Sequence, residues 1–264
     1  MKHSWTFTPG LPQLDIHTLS EDWALAASLE AHWRLMADSL GRKPSEWIDS
    51  QGDRMYGAVM RLATGFDLED TIQEDDTVTA VCEIIAVRKP HALSLTTFSV
   101  GGKIKALTEL LTSFIKRKVK GSNKKFAKTR ELWGAPDFEG DRIDDLLDGH
   151  HAMKSAPEVG GAGSSAHRIE VNRIRDFNTA DFLYFKNFVQ FAKAAEWAHG
   201  RGGPTRLNAE RECWYYGNVE DGDIIETRVA EPEAGLLVAA HHAPDGRRIF
   251  YSRTRVTPVT IAPR

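Results

Sequence analysis

Apolar and polar positions change period twice in this chain, and both changes come in the same order. From Leu25 to Leu40 the apolar residues Leu25, Leu29, Trp33, Met36 and Leu40, with His32 among them, recur at spacings of three and four. That is one face of a helix. Ser20 stands where an N-cap would, Glu21 and Asp22 fall in the first turn, and Gly41 supplies a stop. The period then drops to two. Arg54–Thr64 alternates, with Tyr56, Ala58, Met60 and Leu62 on one predicted face and Met55, Gly57 and Val59 on the other. Further strands are predicted at Thr77–Val87, His91–Val100 and Ile104–Lys116. The last also carries leucines at helical spacing; its position and its Thr and Ile content favour a strand.

Residues from about 118 to 165 interrupt the pattern. They are rich in Lys, Arg, Asp and Gly, and the run 160–165 (GGAGSS) reads as flexible. The second half then repeats the first. Ala166–Arg175 is strand-like, 176–179 (DFNT) supplies a helix start, and Phe182, Phe185, Val189, Ala192 and Glu196 mark a helical face running to His199. Strands follow at Glu212–Val219, Asp223–Ala230, Leu236–His242 and Arg247–Val256, with Asp221-Gly222 and Asp245-Gly246 as hairpin turns.

The order is therefore strand, long helix, four strands, linker, and the same again, a repeat of element order rather than of residues. A helix followed by several antiparallel strands packs as an α+β layer. The expected fold is a double hot-dog: two tandem hot-dog folds forming one continuous antiparallel sheet around two long central helices. The expected limits are 1–118 for the first hot-dog domain, 119–165 for a polar linker and 166–264 for the second.

Composition narrows the function classes. The 264 residues carry a net charge of −3, with 41% hydrophobic and 27% charged residues. That is the balance of a globular protein without the basic excess of a nucleic-acid binder. Cys82 and Cys213 sit far apart in apolar runs, which suits reduced thiols in a cytoplasmic protein. No apolar run approaches a membrane span or the core of a signal peptide.

Several segments resemble a known family. They are 11–14 (LPQL), 19–23 (LSEDW), 32–35 (HWRL) and 54–56 (RMY) in the first half, and 176–178 (DFN), 183–185 (LYF) and 215–218 (YYGN) in the second. Together they resemble the leinamycin-type bifunctional acyltransferase/decarboxylases and related biosynthetic-cluster proteins, over nearly the whole chain outside the linker. The Asp-x-Asn turn at 176–178 also resembles the opening of the central helix in hot-dog thioesterases. The resemblance implies an enzyme of polyketide-type biosynthesis. Such an enzyme takes an acyl group from acyl-CoA, decarboxylates it, and passes it to the phosphopantetheine arm of an acyl carrier protein. The family's catalytic tyrosine falls at Tyr56.

Weighed as chemistry, a free phenol titrates near ~10, so a nucleophilic Tyr56 calls for a neighbouring cation, base or helix N-terminus. Arg54 shares its face. His32 on the first helix, and Asp176 and Asn178 in the turn, are the other catalytic candidates; core packing and helix capping are their ordinary roles. Tyr184, Tyr216 and Asn218, like Arg54, are candidates for substrate binding, Tyr216 and Asn218 as the lining of a second pocket. Lys116 and Arg117 open a basic run to Arg130 that suits coenzyme A phosphates or an acidic carrier helix. His150-His151 and His241-His242 are adjacent pairs, and neighbours on a strand point opposite ways, so no metal site is expected. No cofactor is expected beyond coenzyme A or phosphopantetheine within the substrate. Expected partners are acyl-CoA and an acyl carrier protein, with no nucleic acid or membrane. A monomer of two halves and a homodimer both stay open. The rival readings are a thioesterase or dehydratase on the same fold, and a non-catalytic carrier-binding module.

Overall fold

The structure is a computed structural model and describes residues 1–129, 137–161, 163–201 and 203–259. The chain divides into two compact units, Met1–His150 and His151–Arg264.

Unit 1 begins with β1 (Lys2–Phe7), then α1 (Glu21–Leu40), and then β2 (Tyr56–Phe66), β3 (Val78–Arg88), β4 (His91–Val100) and β5 (Lys103–Arg117). Two further elements lie in the stretch read from composition as a linker: a short strand, β6 (Phe126–Lys128), and a helix, α2 (Gly140–Lys154). The strands run β1-β3-β4-β5-β2 in space, all antiparallel, with β6 on the end of β5. Ser20 and Gly41 bound α1 as expected, Gly41 in the left-handed region at φ 59°. Leu25, Leu29, Leu35 and Met36 are buried on its apolar face; Leu35 and Met36 pack with Phe114, and Ala24 packs with Phe98 in a second cluster. β5 is strand throughout, as its position predicted.

The predicted faces of β2 need one correction. Its register against β5 slips between Val59 and Arg61. A bulge of this kind moves every later residue to the other face. Gly57 faces α1, because a Cβ built there would meet the Trp33 ring at 2.1–2.6 Å. Beyond the slip Thr64, not an odd-numbered residue, donates to Glu21 of α1 at 3.0 Å. Leu62, predicted on the face of Tyr56, therefore joins the α1 side. On the other face Ile143 of α2 packs among Ala86, Leu93 and Leu111, with Met60 beside them.

Unit 2 repeats this plan. β7 (Ser165–Glu170) is followed by a short helix, α3 (Arg173–Asp176), and by α4 (Phe185–His199). Four strands complete it: β8 (Arg206–Tyr215), β9 (Ile224–Glu233), β10 (Leu236–His242) and β11 (Arg248–Pro258). The spatial order β7-β9-β10-β11-β8 is that of unit 1, strand for strand. Each unit is a hot-dog, a long helix held by an antiparallel sheet, so the fold is a double hot-dog.

Three expectations fail locally in unit 2. The strand predicted to Arg175 stops at Glu170, because Asn172 caps α3 through the Ile174 amide at 2.9 Å. The long helix starts at Phe185 rather than in the Asp-x-Asn turn. β8 spans Arg206–Tyr215 rather than Glu212–Val219, and it pairs with β11. Asp221-Gly222 therefore opens β9 as a turn and is not a hairpin, whereas Asp245-Gly246 does join the paired β10 and β11.

Because Trp33 lies against the backbone at Gly57, Gly57→Ala forces the indole to move. The expected cost is about 1–3 kcal/mol, read by urea unfolding, with Gly65→Ala as a control at a site that offers ordinary contact.

Candidate functional site

In unit 1 the sheet places Tyr56 at the head of β2, opposite Ile115 of β5. Side chains two apart on a neighbouring strand are diagonal partners. Arg117 is such a partner, and its guanidinium carbon lies 5.0 Å from the centre of the Tyr56 ring. Arg54 approaches the same ring at 5.9 Å. Two guanidiniums thus lie within cation–π distance of the Tyr56 ring. Each arginine is held. Arg117 donates through Nε and Nη2 to Asn123 Oδ1 at 3.1 and 2.9 Å, and Arg54 donates through Nη1 to the Ser45 carbonyl. Asn123 is buried and was not among the sequence candidates; a lone Asn in a basic loop gives no signal until the hairpin closes.

Lys116 belongs to a different group. Its Nζ donates to Asp49 at 2.5 Å and to Asp53 at 3.3 Å. The Asp49 hydrogen bond raises the Lys116 pKa, and that same bond lowers the pKa of Asp49. Lys116 anchors the loop before β2 rather than presenting a free cation. Arg130, the end of the basic run, lies outside the described residues.

His32 is not brought to Tyr56. Gly57 faces α1, so Tyr56 projects from the opposite face of the sheet. His32, on the buried face of α1, is fully buried, with 2.9 Å hydrogen bonds between Nδ1 and Ser94 Oγ and between Nε2 and Thr112 Oγ1. Burial lowers its pKa to about 3, so the ring is neutral. Both nitrogens are committed to hydroxyls.

In unit 2 the Asp-x-Asn segment builds a closed loop. Asp176 Oδ2 accepts the Asn172 amide at 2.8 Å, and the Arg175 guanidinium donates to both carboxylate oxygens at 2.6–2.8 Å. Asn178 Oδ1 accepts the Ala180 and Phe182 amides at 3.0 and 3.2 Å. Asn218 clamps Leu183 from across the unit, accepting its amide at 3.0 Å and donating to its carbonyl at 3.2 Å. The Tyr184 amide returns to the Asp176 carbonyl at 2.9 Å. Asp176, Asn178 and Asn218 thereby deliver the chain to Tyr184, the N-cap of α4. Tyr184 makes no side-chain cap bond, and the first turn of α4 has no acidic residue. That end of the helix keeps its positive character. α1 differs, with Glu21 and Asp22 in its first turn.

Tyr216 is separate from this loop. Its neighbour Tyr215 faces α4, with Oη donating to the Phe185 carbonyl at 3.2 Å and the ring 5.4 Å from Phe188. Tyr216 packs on the other face with Trp214 and Tyr251, and burial raises its pKa. Of the two adjacent tyrosines, the one that meets the start of α4 is thus Tyr215, which alternation alone could not choose without the true limits of β8.

The histidine pairs divide as well. His150 and His151 lie on α2, not on a strand. His241 faces α4, bonded to Thr227 Oγ1 at 2.8 Å and to the Phe188 carbonyl at 2.8 Å, and burial lowers its pKa to about 4. His242 faces the other way and meets Glu158 at 2.8 Å. The described residues hold no group of three or more His, Cys, Asp or Glu arranged for a metal. No helix among them is long and apolar enough to cross a membrane.

No family model and no curated protein matches the sequence. Solved structures do match it. An acyl-ACP thioesterase from Bacteroides thetaiotaomicron is similar with a TM-score of 0.67 at 10% identity, over 97% of this chain and 98% of that one. The 12:0-ACP thioesterase from Umbellularia californica gives 0.69 at 13% identity, over 98% of both chains. A protein from Lactobacillus plantarum described as an oleoyl thioesterase gives 0.67 at 11%, over 98% and 96%. Identities this low show a shared fold, which here extends over the whole length.

The two buried imidazoles carry a pH dependence of stability. Their folded pKa values, about 3 for His32 and about 4 for His241, lie below the ~6.5 of an unfolded chain. The unfolded state therefore binds protons first as pH falls. Stability is fully present above ~6.5 and declines below it, by at most about 1.4 kcal/mol per pH unit for each ring, down to the folded values. Urea unfolding at pH 7 and pH 5 should show this loss, and His32→Gln should reduce it by about half. An unchanged slope in that variant would remove His32 from the account.

Proposed function

We propose that the chain processes acyl thioesters, taking an acyl group from an acyl-CoA and delivering it to the phosphopantetheine thiol of an acyl carrier protein, with decarboxylation where the acyl group carries a β-carboxylate. The observation that carries this reading is Tyr56 at the head of β2 with the guanidiniums of both Arg54 and Arg117 over its ring. It supports the role for Tyr56 that the family resemblance implies, within a fold shared with thioester enzymes.

The chemistry assigned to Tyr56 is acyl acceptance. Its Oη forms a bond to the thioester carbonyl carbon, the C–S bond breaks, and coenzyme A leaves as the thiol with the phenolic proton. The carrier thiol then attacks the tyrosyl ester, the C–O bond breaks, and the phenol is restored. In the decarboxylating case the bond from the α-carbon to the carboxylate breaks and CO2 leaves. This happens before transfer to Tyr56: the electron pair moves into the adjacent thioester carbonyl to give an enolate, whose α-carbon takes a proton from solvent. Arg54 and Arg117 supply positive charge beside the phenol, where a substrate carboxylate or a developing oxyanion gains most from it.

A second reading, thioester hydrolysis, is favoured by the whole-length likeness to thioesterases. It differs in product: free acid in place of an acylated carrier. Hydrolysis needs a base to activate water, and the carboxylate of Asp176 is already engaged by Arg175 and the Asn172 amide. A dehydratase needs a histidine beside a carboxylate. Neither His32 nor His241 has one as a hydrogen-bond partner, whereas His242 meets Glu158.

Purified protein is given malonyl-, methylmalonyl-, acetyl- and propionyl-CoA in turn with a holo carrier, and the carrier is weighed by intact mass spectrometry. Acylated carrier and free coenzyme A should appear together. Tyr56→Phe, with an unchanged thermal melt, should lower transfer by about a hundredfold or more. Free acid without acylated carrier would establish hydrolysis instead, and a fully active Tyr56→Phe would remove the tyrosine from the mechanism.

A further inference from the structure

The thirteen residues Lys116–Lys128 contain seven cations and no acid, in a chain whose acids outnumber its Lys and Arg by 37 to 34. Composition reads such a run as a solvated linker, but here it is a folded hairpin. β6 returns along β5, with Ile115 opposite Lys128, Lys116 opposite Ala127 and Arg117 opposite Phe126. The Lys118 amide donates to the Lys125 carbonyl at 3.0 Å and the Ser122 amide to the Val119 carbonyl at 3.2 Å, while Gly121 takes the turn at φ 78°. Asn123, 1% exposed, is fixed by the Arg117 fork and ties the tip back to the base.

The base and the tip differ in charge. At the base, Lys116 is neutralised by Asp49 and Asp53. At the tip, Lys118, Lys120, Lys124 and Lys125 are exposed, and none of the four has an acidic partner among the described residues. Val119 stands among them 54% exposed. Four unpaired cations around one exposed aliphatic side chain, on a backbone already ordered, make a surface complementary to an acidic protein helix with an apolar ridge. The position also fits. Tyr56 lies opposite Ile115; β5 ends at Arg117, two residues further along, and Lys118 follows roughly 10 Å from Ile115 at strand rise, with Lys120 in the turn beyond. That separation suits a partner that stays on the surface and extends a phosphopantetheine arm to the phenol.

We propose that the tip of the β5–β6 hairpin, Lys118–Lys125, is the docking surface for the acidic face of the acyl carrier protein. This rests on the reading of the chain as a carrier-acylating enzyme and names where that partner binds. Charge of this kind speeds encounter and weakens with salt. Coenzyme A carries phosphates at the end of the same arm, so the test must separate the two.

The full chain is compared with a Lys118→Glu/Lys120→Glu/Lys124→Glu/Lys125→Glu variant and a milder variant with Gln at the same four positions, both checked by thermal melt. Binding of a fluorescently labelled holo acyl carrier protein is read by anisotropy at roughly 20 and 300 mM salt. In parallel, acyl transfer from acyl-CoA to free pantetheine is measured without carrier. Wild-type affinity for the carrier should fall about tenfold or more with added salt. The Glu variant should bind about thirtyfold more weakly at low salt, the Gln variant should fall between, and pantetheine acylation should stay within about twofold. Equal carrier binding by all three proteins overturns the proposal. So does a raised KM for acyl-CoA in the pantetheine assay, which would give the lysines to the coenzyme A phosphates. Salt-dependent carrier binding that the Glu variant loses, in a protein that acylates nothing, upholds the docking surface and overturns only the transferase reading.

Discussion

Each unit depends on burying a long helix beneath an antiparallel sheet, and a neutral imidazole lies in that layer in both. In unit 1 the ring comes from the helix: His32 of α1 meets two hydroxyls of the sheet. In unit 2 the direction is reversed. His241 comes from β10 and meets the helix backbone at the Phe188 carbonyl, with Thr227 beside it. A buried polar group without partners costs a few kcal/mol, so these bonds set which residues lie across from one another. Unit 2 adds a second polar lock: Arg211 is bonded through two nitrogens to Glu196 of α4 at 2.8–2.9 Å and through Nη1 to Thr254 at 2.7 Å. Such a pair favours one arrangement because either partner alone would be a stranded charge. His32, His241 and Glu196 thus each have hydrogen-bond partners within their own unit.

The same constraint separates the two halves in their ends. α1 opens with Glu21 and Asp22, and Glu21 accepts a hydrogen bond from Thr64. Its positive end already has negative charge beside it. α4 opens with no acid, after a loop stitched by Asp176, Asn178 and Asn218. The duplication preserved strand order and helix placement but not the electrostatics of the helix ends.

Much of the fold was legible because its signals are local. Ser20, Gly41 and the three-and-four spacing bounded α1, and alternation placed β3, β4, β10 and β11 within two residues of their ends. The errors came where a non-local bond decides. Leu62 changed face through a bulge that appears only in the pairing with β5. The α4 start was displaced because Asn178 caps its own loop rather than the helix. α2 was hidden in a polar stretch because its packed surface is narrow: Ile143 is its buried apolar residue, with Leu146 and Leu147 partly covered.

The candidate site shows the same division. Tyr56 and Arg54 are neighbours in the chain, and their shared face was readable from parity. Arg117 is far away in sequence and reaches the ring only because β5 returns antiparallel with Ile115 opposite Tyr56. That one register also determines what the basic run becomes. With Ile115 held against Tyr56, β5 must continue past the end of β2, and the residues beyond it pair with β6 instead of dispersing as a linker. A single alignment of two strands therefore assembles the cations around the phenol and projects the remaining lysines outward from it. The separation of a charge-flanked tyrosine from a cationic tip, which begins where β5 ends at Arg117, is a geometric consequence of that alignment.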